Sequence, residues 1–432
     1  MKLIRFNIAK YLVFLRDFYL VRSVSSREYV GYAIDVLKDL ISIPTINPPG
    51  QSYREASQYL EKILREAGFK VSLIEIPEDY LDKWYPYKPL HRGYPRYIVY
   101  AKYGNGRPVI QFNGHYDVVP PGSGWSRDPF TPYIEGDKIY GRGATDMKGG
   151  IAAAIAAAKH FIDTYRDFKG AIELVFVPDE ESGGVGTRYF VEKRYSSPDY
   201  VIISEPTTSK RINIGHKGLV RGLIRVFGKQ VHGSVPWKGR NAFIDAARLV
   251  LRLHEEYTKI LRERSTKAPV DEEEAKHPTI NLGGYAESLS KKDNIVPGEF
   301  VFSFDRRVIP EEDVDDVSRE IIDLVNKLSR ELGVEASVEI LSAVPASVTR
   351  GSSVLVNKIS ACIERICGER AEVLISRGRD DTVFYRLAGF ETITYGPGVA
   401  GTAHMPDEYT SVSEIERVIS VYTCLLSKLL MG

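Results

Sequence analysis

The alternation of apolar and polar residues predicts a regular succession of helices and strands from about Tyr29 onwards. Apolar residues at helical spacing predict amphipathic helices over residues 29–43 and 53–69. Alternating or almost wholly apolar runs predict strands over residues 70–76, 96–104, 108–119, 171–178 and 200–206. Between them, the alanine-rich residues 146–165 predict a helix with a thin face that can lie close to a sheet. This order predicts an α/β fold: a mixed, mostly parallel sheet covered by helices on both faces.

The pattern changes near Gly215, where strands with one polar face replace the apolar ones. Two long amphipathic helices, over residues 241–264 and 311–332, accompany these strands, and the first pattern then returns. We therefore expect a smaller α+β domain inserted into a larger one. The predicted bounds are an N-terminal extension (1–25), a catalytic domain in two parts (26–215 and 343–432) and the inserted domain (216–342).

Length and composition exclude several classes of protein. The 432 residues are enough for two buried cores. Because 58 basic residues balance 57 acidic ones, to a net charge of +1, no overall field favours nucleic acid or an anionic membrane. The three cysteines form no C-x-x-C pair, which argues against a disulfide framework and a thiolate zinc site and suits a reducing cytoplasm. Any metal would then be held by histidines and carboxylates.

The N-terminal extension is apolar and aromatic, but Lys10, Arg16, Asp17 and Arg22 interrupt it. No run reaches the roughly 20 apolar residues that a membrane span needs. We favour an amphipathic helix that packs on the body or on a partner. A helix lying on a membrane surface and an upstream start codon that adds little remain alternatives.

Polar residues with metal-binding or acid–base chemistry follow the carboxyl ends of the apolar strands. They are His115 and Asp117, Glu180 and Glu181, Glu205, and His404, with Asp146 at the start of the alanine-rich helix. Ligands of open α/β sheets bind at this edge. Taken singly, an acidic pair on a loop is usually only solvated, and an aspartate at a helix start is usually a cap. Together they indicate divalent metals with nitrogen and oxygen ligands, and one bridging carboxylate would let five ligands hold two ions.

Ordered motifs extend this pattern over most of the chain. They are GHYDVVPPG (114–122), WSRDPFTP (125–132), DKIYGRGATDMKGG (137–150), PDEESGGVGTRYF (178–190), ISEPT (203–207), GHKG (215–218), VHGSVPWKGRNAF (231–243), NIVPGEF (294–300), FDRRVIP (304–310) and YGPGVAGTAHMPDEY (395–409). In sequence and order they resemble the M20 zinc metallopeptidase family. That family includes aminoacylases, carboxypeptidases and the acetylornithine deacetylase and succinyl-diaminopimelate desuccinylase group. The resemblance covers Tyr29 to the C-terminus.

The resemblance implies a role for each residue at the sheet edge. Asp146 would bridge two Zn²⁺ ions, for which Co²⁺ or Mn²⁺ could substitute. The remaining metal ligands would be His115 and Glu205 at one ion, and Glu181 and His404 at the other. Asp117 would accept a hydrogen bond from His115 and so fix its tautomer. Glu180 would be the general base on a metal-bridging water, and the peptide bond after Asp146 would be cis.

The resemblance also assigns roles in the inserted domain, which would act as a lid and dimerisation domain. His232 would donate to the oxyanion by reaching across a homodimer into the partner's site. Arg307 and Asn294 would bind the carboxylate of the substrate. The family's Gly-Thr-Asp-Ala-Arg motif is altered here, since Thr382 replaces its arginine and Arg379 occupies the usual threonine position. Arg379 would then take over that contact, or the substrate would differ.

These expectations define a dizinc-dependent hydrolase that cleaves the amide bond of an N-acyl amino acid or a related small derivative. The alternative within the same family is a metallo-carboxypeptidase or dipeptidase. From another class, a metal-binding scaffold without catalysis is the weaker hypothesis, because Glu180 and all five expected ligands are present. A dinucleotide-binding protein is excluded, since no G-x-G-x-x-G follows the first strand.

Overall fold

The computed structural model describes residues 27–349 and 352–431. The predicted N-terminal extension, 1–25, lies outside this part of the chain. The described residues form two compact units. The first contains the residues up to Asn213, together with Thr349–Glu372 and the chain from Phe384 onwards, and the second contains Ile214–Val348 and Val373–Val383.

Helices and strands alternate along the chain. The helices are α1 (27–42), α2 (Tyr53–Glu66), α3 (Glu78–Trp84), α4 (Lys148–Thr164), α5 (Val185–Glu192), α6 (Ala242–Arg262), α7 (Val314–Leu332), α8 (Val354–Cys367), α9 (Thr382–Leu387) and α10 (Val412–Leu430). The strands are β1 (Lys70–Ile76), β2 (Arg96–Asn105), β3 (Val109–His115), β4 (Tyr133–Glu135), β5 (Lys138–Tyr140), β6 (Gly170–Val177), β7 (Tyr200–Ile203), β8 (Arg211–His216), β9 (Gly218–Phe227), β10 (Val231–His232), β11 (Thr279–Ser288), β12 (Ile295–Val296), β13 (Glu299–Val308), β14 (Glu335–Val344), β15 (Ser347–Val348), β16 (Glu372–Ser376), β17 (Glu391–Thr394) and β18 (Tyr409–Ser411).

The first unit is built around a twisted sheet with the strand order β1-β2-β6-β3-β7-β17. Strands β6, β3, β7 and β17 are parallel, whereas β1 and β2 are antiparallel to their neighbours. Every residue of β3 and β6 is buried, as expected for parallel strands with both faces covered. Helices α2, α4 and α8 pack against strands of this sheet. The predicted mixed, mostly parallel sheet with flanking helices is therefore confirmed.

The alanine-rich helix α4 brings its N-terminus close to the end of β7. A side chain at Gly150 would place its Cβ only 1.9 Å from the carbonyl oxygen of Ser204. Only glycine permits this approach. As a result, Asp146, just before α4, lies at the same sheet edge as Glu205, which follows Ser204.

The second unit contains a four-stranded antiparallel sheet of order β11-β13-β9-β14. Helices α6 and α7 pack on it and share an apolar core that includes Leu249, Leu253, Phe302 and Ile321. Side-chain caps begin both helices: Asn241 accepts from the first-turn amides of α6, and Asp313 does so for α7. The residues predicted to form a separate α+β unit thus have a core of their own.

The cysteines pair, contrary to the expectation from their number. Cys362 in α8 and Cys424 in α10 form a disulfide, although the cysteine count argued against a disulfide framework. Their sequence separation of 62 residues gives no pairing signal, but α8 and α10 pack together and bring the two Cα atoms within 5.9 Å. The cysteine count therefore no longer supports a reducing compartment.

Among the described helices, none is both long and apolar enough to cross a bilayer.

The disulfide predicts a thiol count that is simple to measure. Under denaturing conditions without reductant, one thiol, that of Cys367, should react with a thiol reagent, and three should react after reduction. Cys424→Ser should lower the free energy of unfolding by about 4 kcal/mol, because the open chain gains entropy when it unfolds. Cys367→Ser is the matched control and should change stability little. Three reactive thiols without reductant would contradict the pairing.

Candidate metal centre

The predicted site residues of the first unit lie at one edge of its sheet. His115 is the last residue of β3, the acidic pair Glu180–Glu181 follows β6, and Glu205 follows β7. Because these strands are parallel, their carboxyl ends share an edge. His404 reaches the same place from the loop after β17. The structure therefore brings together side chains that are far apart in sequence.

Asp146 occupies the centre of the cluster. Its Oδ1 lies 3.1 Å from Nε2 of His115, and its Oδ2 lies 3.2 Å from Nε2 of His404. Each carboxylate oxygen thus faces a different imidazole. This is the arrangement that a carboxylate bridging two cations requires.

Each histidine has a glutamate of its own. The Oε1 atom of Glu205 lies 3.3 Å from Nε2 of His115, and Oε1 of Glu181 lies 2.9 Å from Nε2 of His404. The cluster therefore divides into two nitrogen–oxygen pairs on either side of Asp146. Imidazole nitrogens with carboxylate oxygens suit Zn²⁺, Co²⁺ and Mn²⁺, so the donor set fits divalent transition metals.

Two groups of three residues have donor atoms that all lie within 4.8 Å of one another. One group is His115, Asp146 and Glu181, and the other is His115, Glu180 and Glu205. The carboxylate of Glu180, which the resemblance makes a base rather than a ligand, thus lies beside the expected ligands His115 and Glu205. This carboxylate is part of the centre and is not merely solvated on a loop.

The charges of the centre favour a cation. Hydrogen bonds to Asp146 and Glu181 raise the pKa of His404 to about 10. Burial opposes protonation of His115, but the charge of Glu205 and hydrogen bonds to aspartates outweigh it and raise its pKa well above the ordinary value. Burial and the charge of Asp146 raise the pKa of Glu181. Without metal, protons on the histidines therefore offset the carboxylate charges.

Asp117 holds the acidic pair as well as His115. Its Oδ1 and Oδ2 accept hydrogen bonds from the backbone amides of Glu180 and Glu181, both at 3.2 Å. The Nδ1 atom of His115 lies 3.0 Å from the backbone carbonyl oxygen of Asp117 and 3.4 Å from its carboxylate. Either oxygen would keep the proton on Nδ1 and leave Nε2 free to bind a metal.

Glu408 and Arg142 hold Asp146 in place, and the sequence did not point to either. Glu408 Oε1 accepts hydrogen bonds from the backbone amides of Thr145 (2.9 Å) and Asp146 (3.0 Å). Arg142 donates to the other carboxylate oxygen of Glu408 at 2.6 Å, and both side chains are buried. The peptide bond between Asp146 and Met147 is cis, as the resemblance implied. The position of Glu408, an acidic residue four places after His404 in a stretch without glycine, was only a weak sequence signal for this role.

A second buried group that the sequence reasoning missed lies under the acidic pair. It consists of Asn47, Arg96 and Asp179, all at most 2% exposed. Arg96 Nε lies 3.0 Å from Oδ2 of Asp179, and Asn47 donates to both Asp117 and Asp179. The run of three acids at 179–181 could have indicated that the first has a different task, but nothing in the sequence linked it to residues 47 and 96.

The remaining predicted residues lie in the second unit. His232 is exposed in β10, and its Nδ1 accepts from the backbone amide of Ser234 at 3.1 Å, which leaves the proton on Nε2 in the neutral ring. Asn294 is exposed, and its backbone carbonyl accepts from Gly233 beside His232. Arg307 makes two hydrogen bonds to Asp305, at 2.8 and 3.3 Å. Arg379 Nη2 lies 3.6 Å from Asp381 Oδ1.

Comparison with known proteins agrees with the motif resemblance. The model of "Peptidase family M20/M25/M40" matches residues 111–428. The chain is 28% identical over 400 residues to succinyl-diaminopimelate desuccinylase of a Nitratiruptor species, covering 90% of this chain and 97% of that protein. It is 31% identical over 345 residues to the enzyme of the same name from Nitrosomonas eutropha, covering 77% of this chain and 86% of that protein.

Solved structures share the fold. An M20 family metallo-carboxypeptidase from Sulfolobus solfataricus aligns with a TM-score of 0.71 and 23% identity, covering 91% of this chain and 98% of that one. Human carnosine dipeptidase 1 aligns with a TM-score of 0.69 and 18% identity, covering 93% and 98% of the two chains. At these identities the likeness concerns the fold alone. The expected resemblance is confirmed by sequence and by fold.

The raised histidine pKa values predict that metal binding releases protons. Each of the two ions needs its own imidazole deprotonated, so at pH 7 we expect release of about one proton per ion. Affinity at the His404 ion should increase with pH up to about 10. The stability of the metal-free protein should instead decrease as the pH rises. The His404 contribution to its stability is complete below the ordinary pKa of 6.5 and is lost as pH rises through about 10.

Titration calorimetry with Zn²⁺ in two buffers of different ionisation enthalpy measures this proton release. Thermal unfolding of the chelator-treated protein across the same pH range measures the opposite trend. Metal binding without proton release would mean that the two histidines are not the ligands.

Proposed function

The chain belongs to peptidase family M20/M25/M40 and is a metallo-hydrolase, and from this premise we propose that it hydrolyses the amide bond of an N-acyl amino acid or a related small derivative. We further propose that it uses two Zn²⁺ ions and that a succinylated amino acid is the first substrate class to test. The observation that carries the proposal is Asp146 between two histidine–glutamate pairs, with Glu180 beside them. The names of the relatives at 28 and 31% identity support the choice of acyl group.

Five residues of this chain would hold the metals. His115 and Glu205 would bind one ion, His404 and Glu181 the other, and Asp146 would bridge them. When bound, the ions polarise the substrate carbonyl and lower the pKa of the attacking water towards neutrality.

Glu180 would perform the proton transfers. Its neighbour Glu181 lies 2.9 Å from His404, and we propose that the pair divides the work, with Glu181 binding metal and Glu180 acting as the base. Glu180 would accept a proton from the attacking water and deliver it to the nitrogen of the leaving amine when the C–N bond breaks. This transfer balances the reaction: the acid product gains the hydroxyl group and the amine gains the proton.

The second unit would supply the remaining contacts. His232, with its proton on Nε2, is suited to donate a hydrogen bond to the oxyanion, and we propose that it does so in the partner's site of a homodimer formed through residues 216–342. Arg307, Asn294 and Arg379 would bind the carboxylate of the substrate. An arginine can pair with a carboxylate through two hydrogen bonds. Arg307 already makes a pair of this kind with the side chain of Asp305.

A carboxypeptidase or dipeptidase of the same family is the second candidate. The altered motif, with Thr382 in place of an arginine and Arg379 three positions earlier, favours it, because a different carboxylate position suits a different substrate. The two candidates differ in the substrate that they bind, since both reactions need the same metals and the same base.

A substrate panel tests the proposal and separates the two candidates. The protein, treated with chelator and then reloaded with Zn²⁺, is assayed on N-succinyl-diaminopimelate, N-acetylornithine and a set of dipeptides. We expect turnover of an N-acyl amino acid that requires added metal. Turnover of dipeptides alone would favour the second candidate, and no metal-dependent turnover at all would reject both.

Substituting each glutamate of the acidic pair should affect a different quantity. Glu180→Gln removes the base and should lower kcat by about 100- to 10,000-fold while metal affinity is retained. Glu181→Gln removes a ligand and should weaken metal affinity by more than about 10-fold, with activity partly recovered at high metal concentration. Chelator competition and steady-state kinetics measure both. If Glu180→Gln kept full activity, the proton-transfer role would be wrong.

A further inference from the structure

A buried polar network lies beneath the turn that carries Glu180 and Glu181. Its central residues are Asn47, Asp117 and Asp179, with exposed fractions of 2%, 0% and 0%. Buried polar groups are costly unless they are fully hydrogen-bonded. Burying these three side chains is therefore unfavourable unless the network is fully bonded, and its position indicates that it stabilises the turn above it.

The side chain of Asn47 uses its full bonding capacity. Its Nδ2 donates to Asp117 Oδ2 at 2.9 Å and to Asp179 Oδ1 at 3.2 Å. Its Oδ1 accepts from the hydroxyls of Tyr85 and Ser182, both at 2.8 Å. A carboxamide has two donor hydrogens and two acceptor lone pairs, and all four are engaged. The reversed amide would turn its oxygen to two carboxylates, so only this orientation fits.

The partners of Asn47 surround the turn. Asp117 accepts the backbone amides of Glu180 and Glu181, while Asp179 precedes the pair and Ser182 follows it. Asp179 has a φ of 64°, in the left-handed region, which aspartate enters more often than most residues other than glycine and asparagine. Its side-chain bonds to Asn47 and Arg96 help to hold it there. Asn47 is thus bonded to Asp179 and Ser182, on either side of the acidic pair, and to Asp117, whose carboxylate orients the backbone of that pair.

Arg96 supplies the charge that lets two buried carboxylates share one amide. Its Nε donates to Asp179 Oδ2 at 3.0 Å, and its Nη2 donates to the carbonyl oxygen of Pro49 at 2.6 Å. Tyr53 donates to Asp179 Oδ1 at 3.0 Å. The stretch that contains Asn47 and Pro49 is thereby fixed to the start of β2, and Asn47 is held against the turn.

We propose that Asn47 is a positioning residue for the base and the ligand of the acidic pair, acting through Asp117, Asp179 and Ser182. The inference rests on the proposed function for its kinetic consequence, but its metal-binding consequence is independent of the substrate. The four hydrogen bonds of the Asn47 side chain go to Asp117, Asp179, Tyr85 and Ser182, none of which is an expected metal ligand or the base, so Asn47 acts by fixing where the two glutamates lie. Displacing a base or a ligand by a fraction of an ångström is enough to lower the rate.

The test compares Asn47→Asp with Asn47→Ala. Asn47→Asp keeps the volume but replaces the amide donor by an oxygen that faces two carboxylates, whereas Asn47→Ala removes the group. Both variants should lower kcat by about 10- to 100-fold, the size seen when an outer partner of a ligand is lost, and should change KM less than about threefold. Zn²⁺ affinity, measured by chelator competition without substrate, should fall by about 10-fold.

Gln111→Ala is the matched control. Gln111 is also a buried carboxamide that donates to a buried carboxylate, Glu173 Oε2 at 2.8 Å, but it lies near the opposite end of β3 from His115. Its loss should lower the unfolding temperature while kcat and Zn²⁺ affinity stay within about twofold of the wild type. If Gln111→Ala lowered them as much as the Asn47 variants do, the effect would be general destabilisation and the proposal would be overturned.

The outcomes separate this inference from the proposed function. Wild-type kcat and Zn²⁺ affinity in Asn47→Asp would overturn the positioning role, because a group that only fills space is replaced by an isostere. If the Asn47 variants do not fold, Ser182→Ala and Tyr85→Phe each remove one bond to Asn47 Oδ1 and should give smaller losses of the same two quantities; unchanged values would overturn the role. If the wild type turns over none of the substrates, the proposed function fails, while the Zn²⁺ affinities still decide the role of Asn47.

Discussion

The concentration of negative charge at one sheet edge is the constraint on which the first unit depends. Asp146, Glu180, Glu181 and Glu205 lie around only two histidines. Carboxylates this close together are stable only when protons or cations offset their charge. In the metal-free protein the two histidines carry these protons, because their pKa values are raised. Bound cations would replace the protons. Affinity for metal is thus a consequence of the way this edge is built.

The rest of the unit keeps these groups from moving apart. Parallel strands bring His115, Glu205 and the acidic pair to the same edge, and the bare face of α4 lets Asp146 approach them. Beyond this cluster, two buried carboxylate–arginine pairs do the same work from opposite sides: Arg142–Glu408 behind Asp146, and Arg96–Asp179 beneath the acidic pair. The backbone amides of Thr145 and Asp146 donate to Glu408, and those of the acidic pair donate to Asp117, which Asn47 links to Asp179, so none of these bonds uses a reactive carboxylate. The reactive oxygens therefore stay available.

The elements with strong periodicity were predictable, whereas the long-range contacts were not. Strand β1 coincides with the predicted residues 70–76, and α4 lies within the predicted 146–165. The edge residues could be collected because strand ends mark ligand sites in open α/β sheets. In contrast, nothing in the sequence joined Cys362 to Cys424, Asp146 to Glu408, or Asn47 to Asp179. Such pairs join segments whose separation along the chain carries no periodic signal.

The sequence by itself determined which residues could do chemistry and at which edge, because apolar periodicity places strands and the residue after each strand is then known. Its motifs also determined the family, as the comparisons confirmed. Only the tertiary structure decided which groups neighbours such as Glu180 and Glu181 lie against. Adjacent glutamates are equivalent in a sequence, but Glu181 lies 2.9 Å from His404, and the backbone amides of both are bonded to Asp117. Direction in space is set by packing between distant segments, and so it emerges only when the chain is folded.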